Sequence, residues 1–262
     1  MSVIAHLSDL HFGRTDAAVV EALLADLSQQ RPDVVVISGD LTQRARTHQF
    51  AEARAFLDRL PAPAVVVPGN HDLAPMYRPL SRLFRPRAKF ERHLPGHAET
   101  SVWRDRELVV VGLDSTRHLR WKSGKLRSGH LERVDTVLAG APDTACKVAF
   151  LHHPPATALS GHSFDSLADL GVDLVLTGHV HRAHLELIEG GNHGTCVLVQ
   201  ASTACSTRLR EDANGYGIIR VTMPEMAVEL RGWSGERFHA VRHQRFLKQD
   251  GHWQMADDGE SR

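Results

Sequence analysis

The chain has 262 residues, of which 42% are hydrophobic, so it is long enough to bury the core of one large domain. Its 31 Lys and Arg residues balance its 31 Asp and Glu residues, which argues against nucleic acid or an anionic membrane as the principal partner. No run approaches the roughly 18 apolar residues that a membrane-spanning helix needs.

Short β-branched runs alternate with amphipathic stretches along the first part of the chain. SVIAHL predicts a first strand, and residues 16–30 show helical spacing of their apolar side chains. DVVVIS predicts a second strand, residues 47–60 a second helix, and AVVV a third strand. ELVVVGLDS, KVAFLHHPP and VDLVLTGHVH repeat the arrangement. Near-continuous apolar strands indicate a sheet covered on both faces, which is typical of an α/β core.

The pattern changes beyond Ala183. LELIEG, GTCVLVQA, GYGIIRVTM and AVELRGW predict strands with short Gly-containing connections, and we expect antiparallel hairpins that join a sheet. Residues 73–100 are rich in proline and in basic residues, and they predict a lid-like insertion. We therefore expect one domain over residues 1–240 and a C-terminal extension over residues 241–262, whose polar end frays.

The cellular compartment follows from the cysteines and the N-terminus. Cys146, Cys196 and Cys205 are odd in number and lack CxxC spacing, which favours a reducing compartment. MSVIAHLSDL lacks the basic segment and long apolar segment of a signal peptide. The sequence predicts a cytoplasmic protein without a transmembrane segment, and it leaves a homo-oligomer open.

Five polar clusters follow five of the predicted strands. They are Asp9-Leu10-His11, Gly39-Asp40, Gly69-Asn70-His71-Asp72, His152-His153 and Gly178-His179-Val180-His181. In an α/β sheet, ligand sites form at the carboxyl ends of the strands. The candidate metal ligands are Asp9, His11, Asp40, Asn70, His152, His179 and His181.

The types of donor indicate the kind of metal site. Asp, Asn and His without Cys suit divalent Mn, Fe, Co, Ni or Zn. Seven donors are too many for one tetrahedral zinc, but they suit two adjacent ions that share the carboxylate of Asp40. The sequence therefore predicts two divalent metal ions.

The spacing within the clusters supports this interpretation. In a strand, residues i and i+2 point to the same side, so Asp9 and His11, and likewise His179 and His181, are expected to aim two donors together. Glycines precede three of the donors, and we expect them to permit sharp turns and close approach of the backbone. These glycines are Gly39, Gly69 and Gly178.

The motifs D-x-H, G-D, G-N-H-D, H and G-H-x-H, in this order, resemble the calcineurin-like metallophosphoesterase superfamily. HLSDLHFG, HHPP and TGHVH are similar to its bacterial class III cyclic-nucleotide phosphodiesterases. The resemblance covers residues 3 to about 230, and every expected ligand position is present. It implies an α/β fold, a four-layer αββα sandwich of two mixed β-sheets flanked by helices, with residues 1–240 as the catalytic domain.

The resemblance also implies how the metals are held. One ion would be bound by Asp9, His11, Asp40 and His181, and the other by Asp40, Asn70, His152 and His179. Mn²⁺ and iron are the ions expected first, and Zn²⁺, Co²⁺ and Ni²⁺ are also compatible. His71, which follows Asn70, is expected to face the substrate as the catalytic residue that protonates the leaving alkoxide or stabilises phosphoryl charge.

The implied activity is a dinuclear-metal phosphodiesterase that hydrolyses a small phosphodiester, such as cAMP or a related diester, by attack of a metal-bound hydroxide. An alternative is a pyrophosphate-bond hydrolase acting on a nucleotide-diphosphate lipid of the UDP-diacylglucosamine type. A nuclease is disfavoured by the balanced charge. A catalytically inactive scaffold is disfavoured because all seven candidate ligands are present.

Several neighbouring residues carry weaker expectations. We expect His153 to support a ligand rather than bind metal, and Asp72 to accept hydrogen bonds near the site. Arg14 and Arg44 follow the first two metal loops and are candidates to contact a phosphate, although solvated arginines are an equal alternative. Helically spaced apolar residues should pack the insertion down, or else face an apolar substrate or a second subunit. They are Met76, Tyr77, Leu80, Leu83 and Phe84.

Overall fold

The computed structural model describes residues 1–95, 101–118, 123–154, 160–161, 164–191, 194–210 and 212–256. Residues 96–100 of the predicted insertion and residues 257–262 of the predicted extension lie outside them. None of the described helices is both long enough and apolar enough to cross a bilayer.

The chain forms fifteen described strands and six described α-helices. The strands are β1 (Ser2–Leu7), β2 (Val34–Ile37), β3 (Ala64–Val66), β4 (Val102–Arg104), β5 (Leu108–Gly112), β6 (Lys125–Leu126), β7 (Cys146–Phe150), β8 (Ser160–Gly161), β9 (Leu174–Thr177), β10 (His184–Glu189), β11 (Thr195–Gln200), β12 (Gly215–Thr222), β13 (Glu225–Trp233), β14 (Phe238–Gln249) and β15 (His252–Ala256). The helices are α1 (Ala17–Gln30), α2 (Thr47–Leu57), α3 (Pro79–Phe84), α4 (Ala88–His93), α5 (Ser128–Leu138) and α6 (Asp165–Asp169).

Two mixed sheets contain thirteen of these strands, and β6 and β8 pair with each other in a third, two-stranded sheet. The first has seven strands in the order β15-β14-β13-β12-β1-β2-β3, with β1, β2 and β3 parallel and the rest an antiparallel meander. The second has six strands in the order β10-β11-β9-β7-β5-β4, with β5, β7, β9 and β11 parallel. The strands beyond Ala183 form the expected antiparallel pairs, β10 with β11 and β12 with β13, and β11 also pairs in parallel with β9 in the second sheet.

Apolar side chains fill three layers between the elements. Ile4 and Val36 of the first sheet pack with Val148 and Leu176 of the second in one buried cluster between the sheets. A second cluster lies where α1 and α2 cover the outer face of the first sheet. A third lies where α5 and α6 cover the second sheet. The predicted four-layer αββα sandwich is confirmed.

The C-terminal strands belong to the body of the fold. The predicted division at residue 240 falls inside β14, which pairs with β13 along its length. Beyond it, Trp253 is only 1% exposed in the cluster between the sheets. Its Nε1 donates to Asp173 Oδ1 at 3.0 Å, which satisfies the indole N–H in this buried position.

The insertion is held by its second helix and by basic side chains. Phe90 of α4 is fully buried against Phe50 of α2, with ring centroids 6.4 Å apart. Arg82 of α3 is also buried, and its Nη1 donates to the carbonyl oxygen of Ala74. The expectation that the apolar set of the insertion packs it down is wrong, because α3 turns Arg82 inward and leaves those side chains 49–73% exposed. They are Met76, Tyr77, Leu80, Leu83 and Phe84.

Candidate metal centre

Parallel strands of both sheets end in loops that carry the predicted metal ligands. Asp9 and His11 follow β1, Asp40 follows β2, Asn70 follows β3, His152 follows β7, and His179 and His181 follow β9. Because parallel strands place their carboxyl ends at the same edge of a sheet, the two sheets bring these loops face to face. The structure places all seven side chains in one cluster.

Four of these side chains converge on the side of the first sheet. His181 Nε2 lies 3.1 Å from Asp9 Oδ1 and 3.1 Å from His11 Nε2. His11 Nε2 is 3.6 Å from Asp9 Oδ1 and 3.8 Å from Asp40 Oδ2. Asp40 thus borders this group of donors.

A second group of donors meets on the side of the second sheet. His152 Nε2 lies 3.2 Å from Asn70 Oδ1 and 3.1 Å from His179 Nδ1. The same nitrogen is 3.3 Å from Asp40 Oδ2. One carboxylate oxygen of Asp40 therefore lies beside donors of both groups.

Each carboxylate has one oxygen held by the protein and one turned toward the centre. Asp9 Oδ2 accepts from Ser8 Oγ at 2.7 Å and from the backbone N–H of His179 at 2.8 Å. Asp40 Oδ1 accepts from the backbone N–H of His71 at 2.8 Å. Asp9 Oδ1 is buried and accepts no hydrogen bond from the described residues. A buried carboxylate oxygen left in this way is suited to a cation.

Backbone carbonyls fix the tautomers of two imidazoles. His152 Nδ1 lies 2.8 Å from the Ser38 carbonyl oxygen, and His181 Nδ1 lies 2.9 Å from the Arg208 carbonyl oxygen. Because a carbonyl oxygen only accepts, each Nδ1 carries a proton, and each imidazole in its neutral form would present the lone pair of Nε2 to the centre. Lone pairs and carboxylate oxygens converging in a buried space match the ligand set of divalent metal ions.

The pKa values in the cluster are shifted because its carboxylates and imidazoles lie close together in a buried space. Burial would raise the pKa of Asp9 and of Asp40, but contacts with the neighbouring histidines hold both pKa values below the usual range. Burial would lower the pKa of His152, but the Asp40 carboxylate raises it to about 9. Burial, with the charge of His152, lowers the pKa of His179 to about 4. Both carboxylates are therefore ionised at neutral pH.

The backbone of the ligand loops departs from the extended geometry expected from the spacing. Asp9 and His11 have φ values of 53° and 50°, and His179 and His181 have φ values of 73° and 57°. The expectation that these pairs aim their donors as i and i+2 residues of a strand is wrong, because each lies in the left-handed region beyond the strand end. Left-handed conformations cost non-glycine residues about 1–3 kcal/mol, so the surrounding contacts must hold these loops in place.

Two of the three predicted glycines allow the backbone to approach a neighbouring side chain closely, and the third allows a left-handed turn. A Cβ on Gly178 would lie 1.8 Å from Ser8 Oγ, and one on Gly69 would lie 2.1 Å from Asp40 Oδ1. Gly39 has φ +95°, and an added Cβ would also meet the backbone of Gly69 at 2.8 Å. The glycines let the ligand loops of neighbouring strands touch.

His71 lies at the rim of the cluster, beside the first group of donors. Its ring centroid is 4.9 Å from that of His11, in an edge-on arrangement. Its Nδ1 lies 2.7 Å from the Gln43 carbonyl oxygen, so Nδ1 carries a proton and Nε2 is left as the reactive nitrogen. Burial lowers the pKa of His71.

Arg208 is a functional candidate that the sequence analysis missed. Its Nη1 donates to His71 Nε2 at 3.2 Å, and its carbonyl oxygen accepts from His181. It stands in the loop after β11, which reaches the same edge because β11 is parallel to β9. The signal was the polar stretch STACSTRLR after a β-branched run, but the run alone did not indicate a parallel strand.

Asp72 and His153 surround the cluster. Asp72 accepts, as predicted, from the backbone N–H groups of Leu41, Thr42 and Gly69, and so joins the loops after β2 and β3. His153 Nδ1 lies 2.9 Å from Ser115 Oγ. The other side of its ring faces His179, with centroids 4.6 Å apart, which places His153 within reach of the second group.

The chain resembles known phosphoesterases. Residues 2–183 match the family described as calcineurin-like phosphoesterase. A probable cyclic nucleotide phosphodiesterase of Synechococcus is 26% identical over 207 residues, which cover 70% of this chain and 74% of the relative. The probable glycerophosphodiester phosphodiesterase GpdQ of Arcobacter nitrofigilis is 29% identical over 223 residues, or 79% and 76%. The 3',5'-cyclic adenosine monophosphate phosphodiesterase CpdA of Escherichia coli is 29% identical over 177 residues, or 63% and 59%.

Solved structures share the fold. The purple acid phosphatase PPD1 from yellow lupin has a TM-score of 0.64 at 13% identity and matches 91% of this chain, which spans about half (52%) of that protein. Vps29 from Chaetomium thermophilum has a TM-score of 0.50 at 12% identity, over 95% of this chain and 100% of that one. At such low sequence identities, these similarities show only that the fold is shared. Through its match over residues 2–183, the chain belongs to the calcineurin-like phosphoesterase family and is a hydrolase of phosphate esters, as the sequence predicted.

Proposed function

We propose that this phosphoesterase is a dinuclear-metal phosphodiesterase whose substrate is a small phosphodiester, such as cAMP or a related diester. The observation that carries the proposal is the position of Asp40. Its Oδ2 lies 3.3 Å from His152 Nε2 and 3.8 Å from His11 Nε2, between two groups of donors. A carboxylate in that position can give one oxygen to two adjacent ions.

The two groups give each ion four protein ligands. Asp9, His11, Asp40 and His181 would hold one ion, and Asp40, Asn70, His152 and His179 the other. Imidazole and carboxylate donors without thiolate favour Mn²⁺ or iron and also accept Zn²⁺, Co²⁺ or Ni²⁺. Two such ions, when bound, lower the pKa of a water molecule and neutralise charge on the phosphoryl oxygens.

His71 is the proposed catalytic residue. The Gln43 carbonyl holds its Nδ1–H, so Nε2 faces the substrate side of the cluster. In the reaction a water oxygen would bond to phosphorus while the bond to the leaving alkoxide breaks, and His71, once protonated at Nε2, would donate that proton to the alkoxide. The proton lost by the water would pass to solvent, and a proton from solvent would restore His71. Arg208, beside Nε2, would balance negative charge on the phosphoryl group.

The names of the relatives support a diester as substrate. The Synechococcus and E. coli relatives are named for cyclic nucleotides, and the Arcobacter relative for glycerophosphodiesters. The balanced charge of the chain gives no support to a long nucleic acid. A small diester is therefore the proposed substrate class.

An assay of Mn-loaded protein on bis(p-nitrophenyl) phosphate and p-nitrophenyl phosphate tests the proposal. We expect the diester to be hydrolysed with the higher kcat/KM. Preference for the monoester, or no turnover of either compound, would contradict it. A following panel of cyclic nucleotides and glycerophosphodiesters then identifies the leaving group.

The exposed apolar side chains of the insertion favour a second candidate function. Leu80 and Phe84 of α3 are 73% and 72% exposed, and an acyl chain would cover such side chains. This candidate is a pyrophosphate-bond hydrolase acting on a nucleotide-diphosphate lipid. Hydrolysis of UDP-diacylglucosamine at a kcat/KM above that of every diester in the panel would favour it over the phosphodiesterase.

A further inference from the structure

A cavity of about 540 Å³ opens beside His71, and four arginines line it. They are Arg14, Arg44, Arg46 and Arg208. Gln43 and Gln49 also line the cavity. The cavity is polar and basic, whereas the metal cluster next to it is built from carboxylates and imidazoles.

The cavity and the metal cluster share the residues that hold His71. The Gln43 carbonyl oxygen accepts from His71 Nδ1, and Arg208 Nη1 donates to His71 Nε2. Arg14 enters the lining from the other side, in the loop after His11, whose carbonyl oxygen accepts from the Arg14 N–H at 2.9 Å. The cavity therefore adjoins the metal cluster at His71.

The loop that carries Arg44 and Arg46 is fixed. Gln49 Oε1 accepts from the backbone N–H of Arg44 at 2.9 Å and from that of Arg46 at 3.2 Å. The side chain of Gln49 also lies against Gly13, where a Cβ would stand 2.2 Å from Gln49 Nε2. These contacts hold the loop after β2 against the loop after β1.

The four guanidinium groups are not neutralised within the described part of the chain. No ion pair within 4.0 Å joins any of them to a described carboxylate. Some exposed arginines elsewhere do form ion pairs, as Arg54 does with Asp58 and Arg59 with Glu21. Four unpaired cations around one concavity raise the local concentration of anions, and guanidinium groups match phosphate oxygens in geometry.

We propose that this cavity binds a second phosphate group of the substrate, so that the preferred substrates are phosphodiesters that carry an additional phosphate on the substituent passing His71. The proposal rests on the proposed function, because it takes the scissile diester to lie at the metal cluster. A diester without an additional phosphate has one negative charge, which the metal cluster already balances. The arginines supply binding energy for a charge that such a diester lacks.

Two dinucleotides that differ only in additional phosphates provide the test. They are thymidylyl-(3'→5')-thymidine and the same compound with a phosphate at each end, so that whichever nucleoside leaves past His71 carries one, and both are assayed with the metal-loaded protein. We expect a KM at least about tenfold lower for the phosphorylated compound, since its additional phosphate would form charge-assisted hydrogen bonds with the arginines. The difference should shrink as ionic strength rises. Equal KM values would overturn the proposal.

The variant Arg44→Gln/Arg46→Gln identifies the source of the preference. We expect the ratio of the two KM values to fall to about one, because the additional phosphate then loses its charged partners. Arg106→Gln removes an exposed arginine outside the cavity and should keep the ratio of the wild type. If the double variant keeps the wild-type ratio of the two KM values, the additional phosphate does not bind in this cavity.

A binding measurement decides the question even if neither compound is hydrolysed. Calorimetric titration of the metal-loaded protein with adenosine 3',5'-bisphosphate and with AMP should give a Kd several-fold lower for the bisphosphate, and the double variant should remove this difference. Loss of turnover with an intact difference in Kd would refute the phosphodiesterase and leave the cavity assigned. Turnover of both compounds with equal Kd and KM values would refute the cavity alone.

Discussion

The metal cluster and the insertion over residues 73–95 are built in opposite ways. In the cluster, Asp9, Asp40 and His152 are buried, and each has a second atom held by the protein. In the insertion, α3 leaves its apolar side chains in solvent, whereas Arg82, Arg87 and Phe90 contact the rest of the fold. The two regions therefore have different roles. The strand ends fix the positions of the reacting groups, and the insertion offers a surface whose side chains are free to meet a substrate.

The largest expected effect comes from Asp40→Asn in the cluster. The amide removes the charge that both groups of donors share, so we expect the variant to lose bound metal. Turnover should fall by more than about a hundredfold, because losing even an outer partner of a metal ligand costs about 10–100-fold. Elemental analysis and the diester assay measure both effects. Asp58→Asn, at an exposed carboxylate, is the control, and two retained ions in Asp40→Asn would show that Asp40 is not a ligand.

His71→Ala separates catalysis from metal binding at the rim of the cluster. We expect the metal content of the wild type and, with a diester whose leaving group is an alkoxide, a loss of turnover of about a hundredfold, which is typical of a missing general acid. His48→Ala, at an exposed histidine of α2, should change neither quantity. If one or both ions disappear from His71→Ala, His71 is a ligand and the proposed division of roles fails.

Two phenylalanines of the insertion sharpen the comparison within that segment. Phe90→Ala should lower the free energy of unfolding by about 3–5 kcal/mol, because it empties a fully buried site beside Phe50. Phe84→Ala, at a side chain 72% exposed, should change it by no more than about 0.5 kcal/mol. Chemical denaturation of both variants measures the difference. A large loss in Phe84→Ala would mean that α3 packs against something that this structure does not show.

The smallest expected effect is a pH dependence of the free energy of unfolding that comes from His130, near the insertion. Arg87 of the insertion pairs with Asp114, and Arg127 donates to the Asp114 carbonyl oxygen. His130 contacts Arg127, and burial, with the charge of Arg127, lowers its pKa to about 4 from 6.5. Between these values the unfolded chain binds a proton that the folded chain does not. The stability from neutral His130 is therefore full above pH 6.5 and is lost as the pH falls toward 4.

Denaturation at pH 7 and at pH 5 checks this dependence, since the second value lies between the two pKa values of His130. The wild type should lose more free energy of unfolding on acidification than His130→Gln, whose side chain does not titrate. The same loss in both proteins would show that His130 is not responsible. In either case the metal cluster is left unaltered by the substitution.

The two regions also differ in how far the sequence predicted them. The alternation of apolar runs with helical spacing predicted the four-layer sandwich, because burial on both faces leaves a clear pattern. The seven proposed ligands were found because Asp, Asn and His recur after strands, and the structure gathers them at one edge. The positive φ values of five of them, between 50° and 73°, were not foreseen, because Asp and His enter the left-handed region more often than most residues but are not confined to it.

Arg208 and α3 show where sequence patterns fail. An apolar run does not say whether a strand is parallel, so the loop after β11 was not placed beside the cluster. Helical spacing in α3 indicated a packed face, but spacing does not say which face is covered. There Arg82 is the buried side chain, with its guanidinium bonded to a backbone carbonyl.

The number of metal ions per chain tests the central claim most directly. Equilibrium dialysis against Mn²⁺ with elemental analysis should give two ions per chain, and electron paramagnetic resonance should show the exchange coupling of a pair bridged by Asp40. In Asp40→Asn the coupled signal should be absent. A saturated wild-type protein that binds one ion, or two ions without coupling, would contradict a dinuclear centre shared through Asp40.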